Sequence, residues 1–195
     1  MKIFVYFFIF ILMLSPTTTI AGDNSIKTLD SEAKAAFEYL NKIRAKPSAF
    51  SKQIKANLNY VEPRPSLNWN DILAQVARNK ALDMANRNYF SHINPEGEGI
   101  NILISRAGYP LKKEWFADKA MNTFESIASG YETGIEVIKG LILDKRVPSL
   151  GHRNHLLGIG EWYGSFDEIG IGFVVNPNSL QGTYICIIIA RKGYD

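Results

Sequence analysis

The chain has 195 residues, the size of one ordinary domain, and it is 46% hydrophobic and 21% charged, as folded globular proteins are. Its formal net charge is only +3 and its basic residues are scattered, so composition argues against a nucleic-acid-binding protein. Cys186 is the only cysteine. Since no disulfide can form within the chain, the fold has to be stabilised by packing, and Cys186 is expected to be a small buried residue.

The N-terminus has the pattern of a secretory signal peptide. Lys2 precedes an apolar run over 3–14, which is short for a membrane-spanning helix, and Pro16 follows it. Small residues then lead to Ala21 and Gly22, at the spacing that signal peptidase requires. We predict a signal peptide over 1–21 and a secreted protein, periplasmic or extracellular, without a stable membrane anchor after cleavage. An uncleaved anchor is the alternative.

A polar segment over 22–30 is expected to link this leader to a single domain over 31–195. Asp30 is predicted to cap a first helix, whose apolar residues recur at helical spacing as far as Ile43. Pro47 ends that helix or begins a second, short one. Asn70 is predicted to cap the next helix, and a loop over 94–99 precedes a short helix over 100–107.

The C-terminal part changes from helical to strand patterns. An amphipathic helix is predicted over about 133–144, and two nearly continuous apolar runs follow at 168–175 and 184–190. Such runs are typical of strands covered on both faces, and the turn-rich segment 176–182 between them predicts an antiparallel pair. We therefore predict an α/β fold, a three-layer α-β-α sandwich with a small, mainly antiparallel central sheet.

Three histidines, His92, His152 and His155, are the first candidates for a functional site. Imidazole titrates near neutral pH and is a good metal ligand, so two that converge would form a natural site. Spacing alone does not establish convergence, and most single histidines lie on the surface or in a satisfied core. The chain has no His-Glu-x-x-His, Cys-x-x-Cys or Gly-x-Ser-x-Gly motif. His155 lies one helical turn after His152 if this segment is helical, and it is expected to be structural.

Several segments in a fixed order resemble those of a known family. They are 40–47, 67–70, 81–85, 90–92, 123–130, 143–154 and 169–173. On these segments the chain resembles the CAP superfamily, which includes cysteine-rich secretory proteins and plant pathogenesis-related proteins. It looks closest to the bacterial SCP-like members, and 31–195 is identified as a CAP (SCP-like) domain.

The resemblance implies a cleft that holds two histidines and two acids. Carried over position by position, these residues are His92, Glu125, Asp144 and His152. The chain departs from the family pattern around them. The family's Gly-Glu-Asn reads Phe-Glu-Ser at 124–126, the second acid is an aspartate in place of the usual glutamate, and Leu141 replaces a tryptophan.

Two imidazoles and two carboxylates can bind a divalent metal such as zinc and leave a position open for water or a ligand. Without a metal they can hydrogen-bond to one another, either as a ligand site or as a network that only ties loops to the sheet. No cofactor is certain from the sequence, and a divalent metal such as zinc is the one that these residue types suit.

These residues predict a secreted binding or interaction module whose cleft takes a metal, a small molecule, a lipid or a protein partner. The alternative is a metal-dependent, peptidase-like hydrolase in which Glu125 or Asp144 acts as the base. The missing metalloprotease motif counts against that alternative. A purely structural envelope protein is the third hypothesis, and the sequence leaves open whether the chain is an enzyme.

Overall fold

The computed structural model describes residues 24–145 and 147–193, so the predicted signal peptide lies outside the described residues. The helices are α1 Asp30–Ala45, α2 Ser51–Ile54, α3 Asp71–Arg87, α4 Ile100–Arg106, α5 Gly134–Leu143, α6 Gly151–Leu157 and α7 Gly160–Gly164. The strands are β1 Lys27–Thr28, β2 Asn68–Trp69, β3 Glu125–Ser129, β4 Glu168–Val175 and β5 Thr183–Ala190. None of these helices is long and apolar enough to cross a membrane.

The sheet has the strand order β1-β4-β5-β3, and β2 pairs in parallel with one end of β4. The predicted antiparallel pairing of 168–175 with 184–190 is confirmed, with Glu168 opposite Ala190 and Val175 opposite Thr183. The predicted α/β fold with a small, mainly antiparallel sheet is therefore confirmed. Residues 27 and 28, which the sequence places in the linker, instead pair with β4 as an outer strand.

Helix α3 lies against one face of the sheet, and two glycines of β4 allow it to come close. A Cβ atom on Gly170 would lie 2.0 Å from the backbone nitrogen of Ala74, and one on Gly172 would lie 2.4 Å from that of Arg78. Gly172 is directly opposite Cys186 on β5. Since side chains alternate between the faces of a strand, Cys186 points to the same side as α3.

Helices α1, α5 and α6 pack together on the other side of the sheet. Helix α1 contributes a stripe at helical spacing that includes Ala36, Leu40 and Ile43, and Leu40 and Ile43 are completely buried. Burying side chains of this size stabilises the fold by roughly 1.5–3 kcal/mol each. Arg44 is also buried and donates from Nη1 to the carbonyl of Leu156, 2.9 Å away, so it joins α1 to the end of α6.

The two predicted helix caps have different outcomes. Asn70 caps α3 as predicted, because its Oδ1 accepts from the backbone N–H groups of Ile72 and Leu73 at 3.0 and 3.1 Å. Asp30 does not cap α1 but is its first residue, and its carboxylate pairs with Arg78 at 3.0 Å. An acid in the first turn still interacts favourably with the helix dipole.

Candidate functional site

His92 lies in a loop that is anchored where α3 ends. Asn88 closes α3 in a left-handed conformation with φ 53°, and its Oδ1 accepts from the hydroxyl of Tyr184 on β5 at 3.2 Å. Arg87 forms a two-pronged ion pair with Glu96 further along the loop, at 2.6 and 2.9 Å. These contacts hold both ends of the loop and so position His92 beside the sheet.

The imidazole of His92 lies against the carboxylate of Glu125, the first residue of β3. Nδ1 of His92 lies 2.7 Å from Oε2 of Glu125, whose side chain is 0% exposed while that of His92 is 40% exposed. The other carboxylate oxygen accepts from the thiol of Cys186 at 3.3 Å. Burial and the adjacent Glu125 raise the pKa of that thiol well above its usual range. Cys186 is thus buried as predicted, and it also touches the site.

Asp144 and His152 form a second pair at the junction of α5 and α6. Asp144 ends α5 in a left-handed conformation with φ 49°, which aspartate tolerates better than most residues. Its Oδ1 lies 2.8 Å from Nδ1 of His152, and its Oδ2 accepts from the backbone N–H of His152 at 3.0 Å. The shorter acid therefore reaches its histidine, and it also satisfies N–H groups at the start of α6.

Arg153 fixes this junction from its other side. Its Nε donates to the carbonyl of Ile142 at 2.7 Å, and its Nη2 donates to that of Leu143 at 2.9 Å. Both carbonyls lie in the last turn of α5, where no later helical N–H is available to them. Arg153 therefore holds Asp144 and His152 in register with the end of α5.

The third histidine, His155, is buried on the α6 side of β3. Its Nε2 lies 3.4 Å from the carbonyl of Ile189, so Nε2 carries the hydrogen and Nδ1 accepts from the hydroxyl of Ser126 at 2.8 Å. Burial lowers the pKa of His155 to about 4, and the charges of His152, Arg44 and His92 lower it further. Its expected structural role agrees with this burial. Its partner Ser126 was not foreseen from the sequence.

A buried lysine on α3 is a second feature whose partner the sequence did not indicate. Lys80 is 2% exposed and its Nζ donates to the hydroxyl of Tyr89 at 3.2 Å, while that hydroxyl donates to Asp83 at 2.5 Å. Burial, followed by the hydrogen bond to Asp83, raises the pKa of Tyr89. A lysine at a core position of an amphipathic helix was the available signal, because lysine is rarely buried without a partner.

The two acid–histidine pairs approach β3 from different layers. Glu125 points to the α3 side, because it neighbours Cys186, whereas Asp144 and His152 come from the α5–α6 side. The charges of both His92 and His152 act on His155. Among residues 24–145 and 147–193, no group of three or more His, Cys, Asp or Glu side chains could hold a metal ion. The structure therefore shows two acid–histidine pairs around one strand.

A groove of about 490 Å³ runs beside β3. Asp144 and His152 are among the residues that line it, together with Phe90, Ile127, Ala128, Ser129, Tyr131, Gly140, Leu141, Leu143, Lys145 and Val147. His92 and Glu125 are not lining residues, but Phe90 lies two positions before His92 and Ile127 two positions after Glu125. The groove thus lies next to both pairs and is lined by one of them.

Residues 37–188 match the family model described as the cysteine-rich secretory protein family, CAP. An uncharacterised protein of Bacillus subtilis, YkwD, is 28% identical over 151 residues, which are 74% of this chain and 51% of that protein. The chain therefore spans about half the length of this relative.

Two solved structures have a similar fold. One is an extracellular protein containing an SCP domain from Bacillus anthracis, with a TM-score of 0.55 and 22% identity over 83% of this chain and 41% of its own. The other is an outer surface protein of Borrelia burgdorferi, with a TM-score of 0.53 and 17% identity over 87% of this chain and 100% of its own.

Proposed function

Because the chain belongs to the cysteine-rich secretory protein (CAP) family, we propose that it is an exported binding module whose ligand site is the groove beside β3. The observation that carries this proposal is the orientation of His152. This residue lines the groove and turns its Nδ1 to Asp144, so its Nε2 is left for a ligand. His92 has the same arrangement with Glu125 at the neighbouring position.

The carboxylates of Glu125 and Asp144 determine which nitrogen of each imidazole carries the hydrogen. A carboxylate accepts hydrogen bonds, so the Nδ1 next to it carries the hydrogen, and in the neutral ring the lone pair is then on Nε2. That nitrogen can accept from an O–H or N–H group of a ligand. Apolar side chains such as Leu141 and Val147 line the same groove, and a mostly apolar wall with a few polar groups is typical of small-ligand sites.

Chemical-shift mapping with a set of small amides, alcohols and fatty acids tests this proposal. We expect saturable shifts at Ile127, Lys145 and His152, and loss of these shifts in His152→Ala. Glu161→Ala, which changes an exposed residue of α7, is the control and should bind as the wild type does. Shifts centred elsewhere, for example at Trp69, or equal binding by both variants, would overturn the assignment of the groove.

Divalent-metal binding is a second candidate, and the Nδ1–carboxylate pairs favour it. Metal-binding histidines usually donate their other ring N–H to a carboxylate, a backbone carbonyl or a water molecule. The fit is partial, because catalytic zinc sites have three protein ligands and the described residues offer no group of three. Calorimetric titration with zinc should show weak binding that both His92→Ala and His152→Ala abolish. Binding that survives either replacement would exclude coordination shared by the two rings.

Ser126 and Cys186, two side chains of nucleophile type in this region, are buried, whereas Ser129 lines the groove and donates its hydroxyl to Gln181 at 3.1 Å. Ser126 is 1% exposed and bonded to His155, and Cys186 is 0% exposed with its thiol directed to Glu125. Neither can meet a substrate in the groove without rearrangement of the sheet. This burial supports a binding module over a hydrolase that uses Ser126 or Cys186 as its nucleophile.

Export is part of the proposal and rests on two kinds of support. The N-terminal pattern predicts a signal peptide over 1–21, and the two solved relatives are named an extracellular protein and an outer surface protein. Mass spectrometry of the protein secreted by an expressing bacterium should show a chain that begins at Gly22. A full-length product retained in the membrane would contradict the proposal.

A further inference from the structure

Strand β3 is at one end of the sheet, and one of its edges has no neighbouring strand among the described residues. The carbonyl of Phe124, just before it, accepts from the N–H of Ile189, and the N–H of Gly130, just after it, donates to the carbonyl of Thr183. In an antiparallel pair, hydrogen-bonded positions alternate with positions whose backbone groups point away. The even-numbered residues therefore bond to β5.

The odd-numbered residues of β3 direct their N–H and C=O groups to the free edge. Within 24–145 and 147–193, no hydrogen bond is made by the backbone groups of Ile127 or Ser129 on that side. Two N–H donors and two C=O acceptors thus alternate along the edge. Positions two residues apart on a strand are separated by about 6.8 Å, which is the repeat of any extended peptide.

This free edge opens into the groove. Ile127, Ala128 and Ser129 are consecutive, yet all three line it. Side chains of consecutive strand residues point to opposite faces, so a single groove can touch all three only along the edge of the strand. The opposite wall is formed by the end of α5 and the turn after it, including Leu143 and Lys145.

We propose that the groove binds an extended peptide segment, which adds to the sheet as a strand beside β3. This inference rests on the proposed function, because it names the ligand class of the same groove. A peptide backbone supplies acceptors and donors to Ile127 and Ser129, whereas a lipid tail would bury these four groups without partners. The apolar wall suits alternate apolar side chains of the peptide, and Lys145 suits an acidic one.

N-methylation of the peptide gives the most direct test. The probe is an acetylated, amidated five-residue peptide in which valine alternates with threonine and aspartate, compared with two derivatives methylated on alternate amide nitrogens. Only one set of amides can face β3, so we expect one derivative to bind at least about tenfold more weakly and the other to bind as the parent does. Equal binding by all three, or no saturable binding below roughly 5 mM, would overturn the proposal.

Hydrogen exchange in the wild-type protein locates the peptide. In the free protein the amides of Ser126 and Ala128 should be protected, while those of Ile127 and Ser129 should exchange faster. The parent peptide should slow exchange at Ile127 and Ser129. If a fatty acid fills the groove without slowing hydrogen exchange at these amides, the ligand is a lipid and not a peptide. If protection appears only as the chain dimerises, the occupant of the groove is a second copy of the chain.

A matched pair of variants tests the edge itself. Ser129→Pro removes one outward N–H, and proline is tolerated at strand edges where the N–H faces outward. Ser129→Ala keeps that N–H and controls for loss of the hydroxyl bond to Gln181. We expect only the proline variant to weaken peptide binding, by about fivefold or more. If the proline variant does not fold, the binding of the methylated peptides tests the proposal instead.

Failure of this inference can be told apart from failure of the proposed function. Suppose that small fragments change the chemical shifts of His152 and lose binding in His152→Ala, but that all the methylated peptides bind equally. The groove would then be a ligand site that does not pair with its ligand through the edge of β3. Absence of both effects would remove the groove site itself.

Discussion

The three histidines share one ring chemistry, but the structure uses His155 differently from His92 and His152. His155 is 3% exposed and its Nδ1 accepts from a neutral hydroxyl, that of Ser126. The side chains of His92 and His152 are 40% and 25% exposed, and each turns Nδ1 to a carboxylate. The partner and the burial together decide whether an imidazole completes the core or presents a nitrogen to a ligand.

The two exposed histidines also differ from each other. Asp144 binds His152 and in addition caps α6, whereas Glu125 binds His92 and the thiol of Cys186. The first carboxylate therefore holds two helices in place, while the second supports only side chains. Four predictions test these differences, from the largest expected effect to the smallest.

The largest effect is a pH-dependent loss of stability through His155. Its pKa in the fold is about 4, below the value of ~6.5 for an exposed imidazole. The unfolded chain therefore binds the proton first, and stability falls as the pH is lowered from about 6.5 to about 4, by roughly 3 kcal/mol. Urea unfolding at a series of pH values measures this loss.

The carboxylates also titrate at acidic pH, so a control is needed. His155→Gln keeps a side chain that can bond to Ser126 but cannot be protonated. We expect this variant to start less stable than the wild type and to lose less stability over the same pH interval. Parallel pH profiles for the two proteins would show that His155 is not the buried group responsible.

Asp144→Ala should lower the free energy of unfolding by about 2 kcal/mol, because it removes both the cap of α6 and the partner of His152. Asp144→Asn is the matched variant, since asparagine tolerates the left-handed conformation and keeps an oxygen for the backbone N–H groups. Chemical denaturation should place the asparagine variant nearer to the wild type. Equal losses would assign the whole effect to the charge on Asp144.

Ser126→Ala should cost about 1 kcal/mol, because it leaves Nδ1 of the buried His155 without its donor. Ser129→Ala on the same strand removes only a contact with Gln181 that is exposed to solvent, and its effect should be smaller. Thermal unfolding of both variants makes the comparison. A loss at Ser129 as large as that at Ser126 would mean that the buried hydrogen bond is not the cause.

The smallest effect is expected for His92→Ala, below about 1 kcal/mol, because the ring is partly exposed and water can replace it at the carboxylate of Glu125. Thermal unfolding beside that of Asp144→Ala measures the contrast between the two pairs. A loss of about 2 kcal/mol or more, as large as that expected for Asp144→Ala, would mean that His92 supports the fold as much as it serves a ligand.

The sequence by itself determined α1, α3, α4, α5 and the two long strands, because periodicity reports directly which residues are buried. The runs at 168–175 and 184–190 are continuous in apolar residues, and the structure covers both of their faces. Asn70 was readable as a cap since its effect is local. The resemblance on ordered segments also identified the family before any contact was known.

Only the tertiary structure decided which groups meet. His92 and Glu125 are 33 residues apart and Ser126 and His155 are 29 apart, so no local pattern links them. Lys27 and Thr28 have no strand signal of their own and pair only because β4 offers a free edge. The free edge of β3 likewise follows from strand order. Periodicity records that a residue is buried, but the partner depends on how the layers pack.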